Sequence, residues 1–263
     1  MKINTIHNEN CLDTMARMED NFIDLTVTSP PYDNLRTYNG YSFDFESIAK
    51  ELFRVTKDGG VVVWVVGDAT VKGSETGTSF KQALYFKEIG FNIHDTMIYQ
   101  KNNFSSPSSN RYHQIFEYMF IFSKGKPKTF NPLKDRKNIY GGSVGSWGKN
   151  TVRQKDGSMK ENTKKVISEY GQRYNVWVYK TSKNGQEDEI AYKHPAIFPS
   201  KLVNDHIISW SNEGDLIYDC FMGSGTTAKM AILNNRNYIG SEMSTEYCEI
   251  IKQRLNKQQT QLF

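Results

Sequence analysis

The sequence predicts an α/β protein built on a mostly parallel β-sheet, because short apolar runs alternate with segments of helical periodicity. The run Val61–Val66 is largely β-branched and is bounded by glycines, as expected for a strand covered on both faces. The segment Phe45–Arg54 instead repeats its apolar residues at intervals of three and four, which is typical of a helix that packs one face on a sheet.

The other elements follow in the same alternation. Ile23–Thr28 is a short apolar run that stops at a serine and two prolines, and Thr78–Gly90 is a helical segment that ends at a glycine. Two further strands are predicted in the first half, at Ile93–Tyr99 and Phe116–Phe122. In the second half we expect strands at Leu216–Asp219 and Tyr238–Gly240, and helices at Pro199–Ser209, Gly225–Asn234 and Thr245–Leu255.

Periodicity fades between Gly125 and Lys193, where glycine-rich and polar stretches are typical of loops. A chain of 263 residues suggests one large domain, or one domain with a sizeable insertion. We therefore divide the chain into a body, residues 1–124 and 194–263, and an inserted lobe, residues 125–193.

Positive charge is concentrated in the inserted lobe. From Lys124 to Lys193 there are 16 basic and 7 acidic residues, a net charge of +9 in a chain whose total is +4. Such a segment suits a polyanion, although a solvated lysine-rich face is the alternative. The aromatic residues interleaved with these cations favour a binding surface; they are Tyr140, Trp147, Tyr170, Tyr174, Trp177 and Tyr179.

Several classes of protein are disfavoured. The longest apolar run is far shorter than the roughly 18 residues that a membrane span needs. The N-terminal residues do not resemble a signal peptide, and three distant cysteines do not make a disulfide framework or a zinc site. We therefore expect a soluble cytoplasmic protein without a metal ion.

The first candidate site is a glycine turn, Asp219-Cys220-Phe221-Met222-Gly223-Ser224-Gly225-Thr226-Thr227, between a predicted strand and a predicted helix. Its glycines let the backbone approach a ligand, and the helix N-terminus suits a carboxylate or phosphate. No Gly-Lys-Ser/Thr follows, so this is not a P-loop. Glu242 lies 23 residues after Asp219, where an acidic side chain can accept hydrogen bonds from both ribose hydroxyls of a nucleoside. A tight turn with a surface glutamate is the alternative.

The second candidate site is Ser29-Pro30-Pro31-Tyr32, directly after a predicted strand. Open α/β sheets place their active sites at such strand ends. The prolines force an extended backbone without N–H donors, so the carbonyls and the serine hydroxyl form a cluster of acceptors. With the aromatic face of Tyr32 beside them, they would suit an amino group on a planar heterocycle. A proline turn that merely ends a strand is the alternative.

Together the two motifs resemble those of the DNA amino methyltransferases, which use S-adenosylmethionine. In that family a [DNS]-P-P-[YFW] motif holds the target amine and a D-x-F-x-G-S-G-T-T motif holds the cofactor. Three further segments are similar to family segments; they are His113–Tyr118, His194–Pro199 and Tyr238–Glu242. The resemblance implies a mostly parallel, Rossmann-like methyltransferase sheet with an antiparallel edge strand and an inserted target-recognition lobe, in the β-class motif order.

The resemblance also implies the site residues. Catalysis would fall to Ser29, Pro30, Pro31 and Tyr32. The cofactor would be held by Asn10, Cys11, Asp219, Phe221, Gly223, Ser224, Gly225, Thr226, Thr227 and Glu242. DNA contacts are expected from Arg36, Lys149, Arg153 and Arg173. Asn10 departs from the family, which commonly has an aspartate there. Residues 1–124 would form the catalytic half, 125–193 the target-recognition insert and 194–263 the cofactor-binding half.

The function implied is methylation of an exocyclic amine on a base flipped out of double-stranded DNA. Serine at the first motif position goes mostly with N4 of cytosine in this family and aspartate mostly with N6 of adenine, so Ser29 favours cytosine. An adenine N6 methyltransferase is the first alternative, and an RNA methyltransferase or an inactive DNA-binding homologue are further ones. A homodimer and a cognate restriction endonuclease are the expected protein partners, in a prokaryote or a phage.

Overall fold

The computed structural model describes residues 1–31, 43–104, 107, 109–145, 151–161, 165–180, 190–191 and 197–259. In the first half its strands are β1 (Thr5–His7), β2 (Ile23–Thr28), β3 (Thr56–Val66), β4 (Thr70–Val71), β5 (Ser74–Glu75), β6 (Asn92–Lys101) and β7 (Phe116–Ser123). The strands that follow are β8 (Arg136–Lys137), β9 (Val144–Gly145), β10 (Thr151–Arg153), β11 (Met159–Glu161), β12 (Lys165–Val166), β13 (Tyr170–Gly171), β14 (Val176–Tyr179), β15 (Leu216–Asp219) and β16 (Asn237–Ser241). The helices are α1 (Cys11–Ala16), α2 (Phe45–Val55), α3 (Thr78–Glu88), α4 (Ser200–Trp210), α5 (Thr226–Leu233) and α6 (Thr245–Gln259).

Eight strands form one sheet in the order β1-β16-β15-β2-β3-β7-β6-β14. Every neighbouring pair is parallel except the two pairs made by β7, so the predicted mostly parallel α/β sheet is confirmed. The antiparallel strand β7 lies third from the edge rather than at it, because β6 and the unpredicted strand β14 extend the sheet beyond it.

The strand order reverses between β2 and β15, which are parallel neighbours paired through Leu25 with Ile217 and Thr26 with Tyr218. From β2 the chain proceeds to β3 on one side, whereas from β15 it proceeds to β16 on the other. Ligands of open α/β sheets bind outside the carboxyl ends of the strands at such a reversal. The two candidate motifs follow β2 and β15, so they begin at this point.

The core beside the first motif is aromatic. Trp64 on β3 is fully buried, contacts Phe86 and Phe45 at ring-centroid distances of 5.1 and 6.0 Å, and donates from its indole nitrogen to Gln82 Oε1 at 2.9 Å. Stacked or edge-on aromatic pairs of this kind stabilise a core beyond their buried area. They fix α2 and α3 on the sheet next to the strand ends that carry the site.

The chain divides into two compact units, residues 1–131 with 175–263 and residues 132–174. The second unit, which we call the arm, consists of three antiparallel ribbons, β8–β13, β9–β12 and β10–β11, nested around the turn 154–158. At its base the Arg173 amide donates to the Leu133 carbonyl at 2.8 Å. The arm contains ten Lys and Arg but only four Asp and Glu.

The arm, residues 132–174, covers fewer residues than the predicted lobe, residues 125–193. On the body side, the Asn131 amide donates to the Ser209 carbonyl and the Asn175 carbonyl accepts from the Ile98 amide at 2.9 Å. Residues 176–179 form β14 of the large sheet, where Trp177 and Tyr179 are each 6% exposed. These two rings therefore belong to the core, and the prediction that they line a binding surface is wrong.

Within the described ranges, no helix has the length and apolarity required to cross a bilayer.

Candidate active site

The glycine turn after β15 adopts the backbone that its sequence suggests. Gly223 and Gly225 have φ values of 53° and 81°, in the left-handed region that favours glycine. Gly225 is the N-cap residue of α5, and no side chain of the described residues caps that helix. The first turn of α5 also lacks an acidic residue. The free N–H groups and the positive dipole end of the helix therefore remain available to an anion at the glycine turn.

Glu242 follows β16 and anchors this turn. Its Oε2 accepts from the Gly223 amide at 2.8 Å, and its Oε1 accepts from the Ser244 amide at 2.8 Å. Burial raises the pKa of Glu242 above its ordinary value, although the two amide hydrogen bonds act in the opposite direction. Each carboxylate oxygen can accept more than one hydrogen bond, so Glu242 can hold the loop and a ribose together.

Asp219, at the end of β15, is 2% exposed. Its carboxylate accepts from Thr28 Oγ1 at 2.7 Å, from Thr227 Oγ1 at 2.6 Å and from the Phe221 amide at 3.0 Å. Burial raises the pKa of Asp219, and these three hydrogen bonds oppose the rise. Asp219 and Thr227 were expected to contact the cofactor, and in the structure they bind each other.

Arg254 of α6 is a site residue that the sequence reasoning missed. Its guanidinium is 2% exposed and donates to the Ser224 carbonyl, to Ser224 Oγ at 3.0 Å and to Thr226 Oγ1 at 3.3 Å. The available signal was position, since an arginine three residues after the buried Ile251 lies on the apolar face of the helix. A buried guanidinium thus binds the turn that precedes α5.

Three more residues expected at the cofactor have structural partners. Asn10 is the N-cap residue of α1, and its Oδ1 accepts from the Leu12 amide at 2.9 Å. Cys11 is 4% exposed within the core, and burial raises the pKa of its thiol to about 12. Phe221 packs against Trp64 at 6.3 Å between ring centroids. Their contacts with a cofactor stay predictions.

The second motif begins directly after Thr28, the last residue of β2. Ser29 is partly exposed, Pro30 is buried and Pro31 is partly exposed. Since neither proline has an N–H group, the polar atoms of this segment are mainly acceptors. Tyr32, the fourth predicted catalytic residue, lies outside the described residues.

Of the four cations expected on DNA, Arg36 and Lys149 lie outside the described residues. Arg153 is exposed at the end of β10, next to the tip of the arm. Arg173 binds the Asp135 carboxylate through Nε and Nη2, so its charge is compensated at the base of the arm.

The described residues fit S-adenosylmethionine, the cofactor that the resemblance implies. The uncapped N-terminus of α5 suits the cofactor carboxylate, because it offers N–H groups and a positive dipole end. The Glu242 carboxylate is fixed at the end of the neighbouring strand and would supply acceptors for the ribose hydroxyls. Among the same residues, no group of three or more His, Cys, Asp or Glu is arranged to hold a metal ion.

Comparison with known proteins gives one consistent family. The model of the DNA methylase family matches residues 23–253. The orphan methyltransferase M.BamHII of Bacillus amyloliquefaciens is 64% identical over 239 residues, which cover 89% of this chain and 88% of that protein. The type II methyltransferase M1.MboII of Moraxella bovis is 28% identical over 273 residues and covers 94% of both chains.

Two solved structures share the fold at about one-fifth sequence identity. The cytosine-N4-specific PvuII DNA methyltransferase superposes with a TM-score of 0.67 and 20% identity, over 94% of this chain and 84% of that one. The complex of M1.HpyAVI with S-adenosylmethionine superposes with a TM-score of 0.63 and 20% identity, over 95% and 98%. The chain therefore belongs to the DNA methylase family, and the enzyme class predicted from its sequence, a DNA methyltransferase dependent on S-adenosylmethionine, is confirmed.

Proposed function

We propose that this enzyme methylates N4 of cytosine in double-stranded DNA. The observation that carries the proposal is Ser29, a partly exposed serine at the point where the strand order reverses. In the family that the motifs resemble, serine at this position goes mostly with cytosine N4. One enzyme that shares the fold, the PvuII DNA methyltransferase, is itself named cytosine-N4-specific.

The chain's own residues would act by binding and positioning. The Ser29 hydroxyl and the Pro30 carbonyl accept hydrogen bonds from the amine, which favours tetrahedral geometry at its nitrogen and makes the nitrogen more nucleophilic. Bound S-adenosylmethionine supplies a methyl group attached to a sulfonium. As the new N–C bond forms, the S–C bond of the sulfonium breaks and leaves a thioether, and the amine proton becomes acidic enough to pass to water. No strong base is therefore needed, and alignment supplies much of the rate.

The target amine is paired and stacked inside duplex DNA, so the base must be flipped out at a cost of a few kcal/mol. Tyr32 stacks on the flipped base. The arm contacts the DNA, because a two-stranded β-ribbon fits the major groove of B-DNA. Arg153, exposed near the tip of the arm, supplies a cation for the phosphates. We propose that target recognition, expected from residues 125–193, falls to the arm within that range, because residues 176–179 belong to the large sheet.

The test is nucleoside mass spectrometry of unmethylated duplex DNA after incubation with the enzyme and labelled S-adenosylmethionine. Label in N4-methylcytosine is expected. Label in N6-methyladenine would keep the reaction class and overturn the choice of base. Label in RNA but not in DNA would overturn the substrate. Cofactor binding without any labelled product would indicate an inactive DNA-binding homologue.

For partners, we propose that the enzyme forms a homodimer. Sedimentation of the purified enzyme tests this, and a single monomeric species would overturn it. A cognate restriction endonuclease stays a prediction, and M.BamHII is itself named an orphan methyltransferase. We place the enzyme with its DNA in the prokaryotic cytoplasm.

A further inference from the structure

A buried hydrogen-bonded junction joins the strand of the catalytic motif to the cofactor loop. We propose that Thr28 is a positioning residue for methyl transfer, whose hydroxyl keeps Ser29 and Pro30 in register with the loop that begins at Asp219. The inference rests on the proposed function, because it concerns the alignment of the target amine with the methyl group.

The geometry of the junction is specific. The carboxylate of Asp219 receives three hydrogen bonds, from the side chains of Thr28 and Thr227 and from the amide of Phe221, at 2.7, 2.6 and 3.0 Å. Thr28, Thr227 and Asp219 are 0%, 1% and 2% exposed, so water does not compete for these bonds. A hydrogen bond to a carboxylate is stronger than one between neutral groups, particularly in a buried site.

The three donors come from different parts of the fold. Thr227 belongs to the first turn of α5 and Phe221 to the loop, so their bonds to Asp219 lie on the cofactor side, and the Thr227 hydroxyl makes a longer contact of 3.5 Å with the Val27 carbonyl of β2. Among the described donors to this carboxylate, Thr28 is the one that belongs to the strand leading into the catalytic motif. Its hydroxyl also lies 3.6 Å from Cys220 Sγ, which donates to it.

The hydrogen bond from Thr28 to Asp219 matters because Thr28 directly precedes the catalytic motif. The next two residues in the chain, Ser29 and Pro30, are the proposed acceptors for the amine. Methyl transfer depends on near-attack alignment, and a displacement of about 1 Å can lower a rate about a hundredfold. A bond that holds the strand end to the cofactor loop therefore acts on the rate of transfer more than on the affinity for the cofactor.

The variant Thr28→Val tests this inference because valine keeps the branched shape of threonine and replaces its hydroxyl with a methyl group, which cannot donate a hydrogen bond. Asp219 retains its bonds from Thr227 and Phe221, so its carboxylate is not left without a partner. Thr28→Ser restores the hydroxyl and serves as the rescue variant. Thr26→Val is the matched control: Thr26 lies two residues earlier on β2, is equally buried, and its hydroxyl has no hydrogen-bond partner among the described residues.

The measurements are kcat at saturating DNA and cofactor, the Kd of S-adenosylmethionine by calorimetry, and the urea midpoint of unfolding. For Thr28→Val we expect kcat to fall at least about tenfold, while Kd changes less than about threefold. Thr28→Ser should recover most of the lost rate, and Thr26→Val should behave like the wild type.

Two results would overturn the inference. One is a kcat for Thr28→Val within about twofold of the Thr26→Val value. The other is a loss of cofactor affinity and unfolding midpoint with kcat unchanged, which is what a merely structural threonine would give. Failure of the proposed function is distinguishable, because the wild type would then place no label in N4-methylcytosine in the same assay.

Discussion

Replacing Gly225 by alanine should destabilise the fold by about 2–5 kcal/mol and weaken cofactor binding. Gly225 has φ of 81°, and a left-handed backbone costs a residue with a Cβ about 1–2 kcal/mol. The added Cβ would lie 2.9 Å from Ile251 Cγ2 and 3.0 Å from its Cγ1, and such overpacking typically costs about 1–3 kcal/mol more. The two contributions sum to the stated range.

Gly77→Ala is the matched control for this prediction. Gly77 is also the N-cap residue of a helix in the left-handed region, with φ of 66°, but a Cβ added there would meet nothing within 4 Å. It should therefore cost only the backbone contribution of about 1–2 kcal/mol. The difference between the two variants isolates the clash with Ile251, and the double variant Gly225→Ala/Ile251→Ala should recover part of it.

The assay is urea unfolding followed by circular dichroism, with and without S-adenosylmethionine. A loss of about 2–5 kcal/mol leaves many domains folded, since total stabilities are about 5–15 kcal/mol. Cofactor that binds only the native state raises its stability, and this increment should shrink in Gly225→Ala. Equal destabilisation by Gly225→Ala and Gly77→Ala, or additive effects in the double variant, would refute the steric argument.

Four further predictions concern the reaction itself. Tyr32→Ala should abolish methyl transfer, measured with labelled cofactor, and leave the Kd of S-adenosylmethionine nearly unchanged, because stacking acts on the base. Burial raises the pKa of Glu242 above its ordinary value of 4.5, so on acidification it should take up a proton from a pH above that value, which turns one acceptor oxygen into a donor and weakens cofactor binding. In calorimetry, Glu242→Gln should bind the cofactor weakly without this pH dependence. Arg254→Lys should lower Tm and cofactor affinity, because lysine lacks the planar guanidinium whose Nη1 donates to Ser224 and Thr226. Arg153→Gln should weaken DNA binding and lower the slope of log affinity against log salt by about one, whereas Arg173→Gln should change that slope less.

Each of these predictions has a contradicting result. Wild-type turnover of duplex DNA by Tyr32→Ala would remove the stacking role. Parallel pH profiles of cofactor affinity in the wild type and Glu242→Gln would show that another group titrates. An unchanged cofactor Kd in Arg254→Lys would show that Arg254 contributes to the stability of the fold and not to cofactor binding. Equal salt slopes in Arg153→Gln and the wild type would place the phosphate contacts elsewhere on the chain.

From β2 onward, most strands and helices of the body were predictable, because each has its own hydrophobic period and a residue that ends it, whereas the short elements β1 and α1 were missed. Leu216–Asp219 matches β15 residue for residue, and the glycine turn after it begins α5 within one residue of the expected start. β14 was missed because it is four residues long and lies in a polar segment. With only four residues, its alternation of exposed and buried side chains could not be distinguished in the sequence from a group of aromatic residues on a binding surface.

The partners within the site were not predictable. A buried hydroxyl such as that of Thr28 has no periodic signal, and its bond to Asp219 spans 191 positions in the chain. Burial of Arg254 was suggested by its position on an apolar helix face, but the Ser224 contact depends on how α6 packs on the turn. Motifs thus predict which residues gather at a site, whereas packing decides which of them bind each other.

The base of the arm has a consequence for how such enzymes diversify. Its two ends are joined by the bond from the Arg173 amide to the Leu133 carbonyl, while Asn131 and Asn175 are held by bonds within the body. Because the closure of the loop is already fixed at its base, lengthening or exchanging the sequence beyond it adds little entropic cost to the body. With the target recognition that we propose for them, residues 132–174 would behave as an interchangeable cassette, and a new DNA sequence preference would be acquired while the transfer chemistry is inherited unchanged.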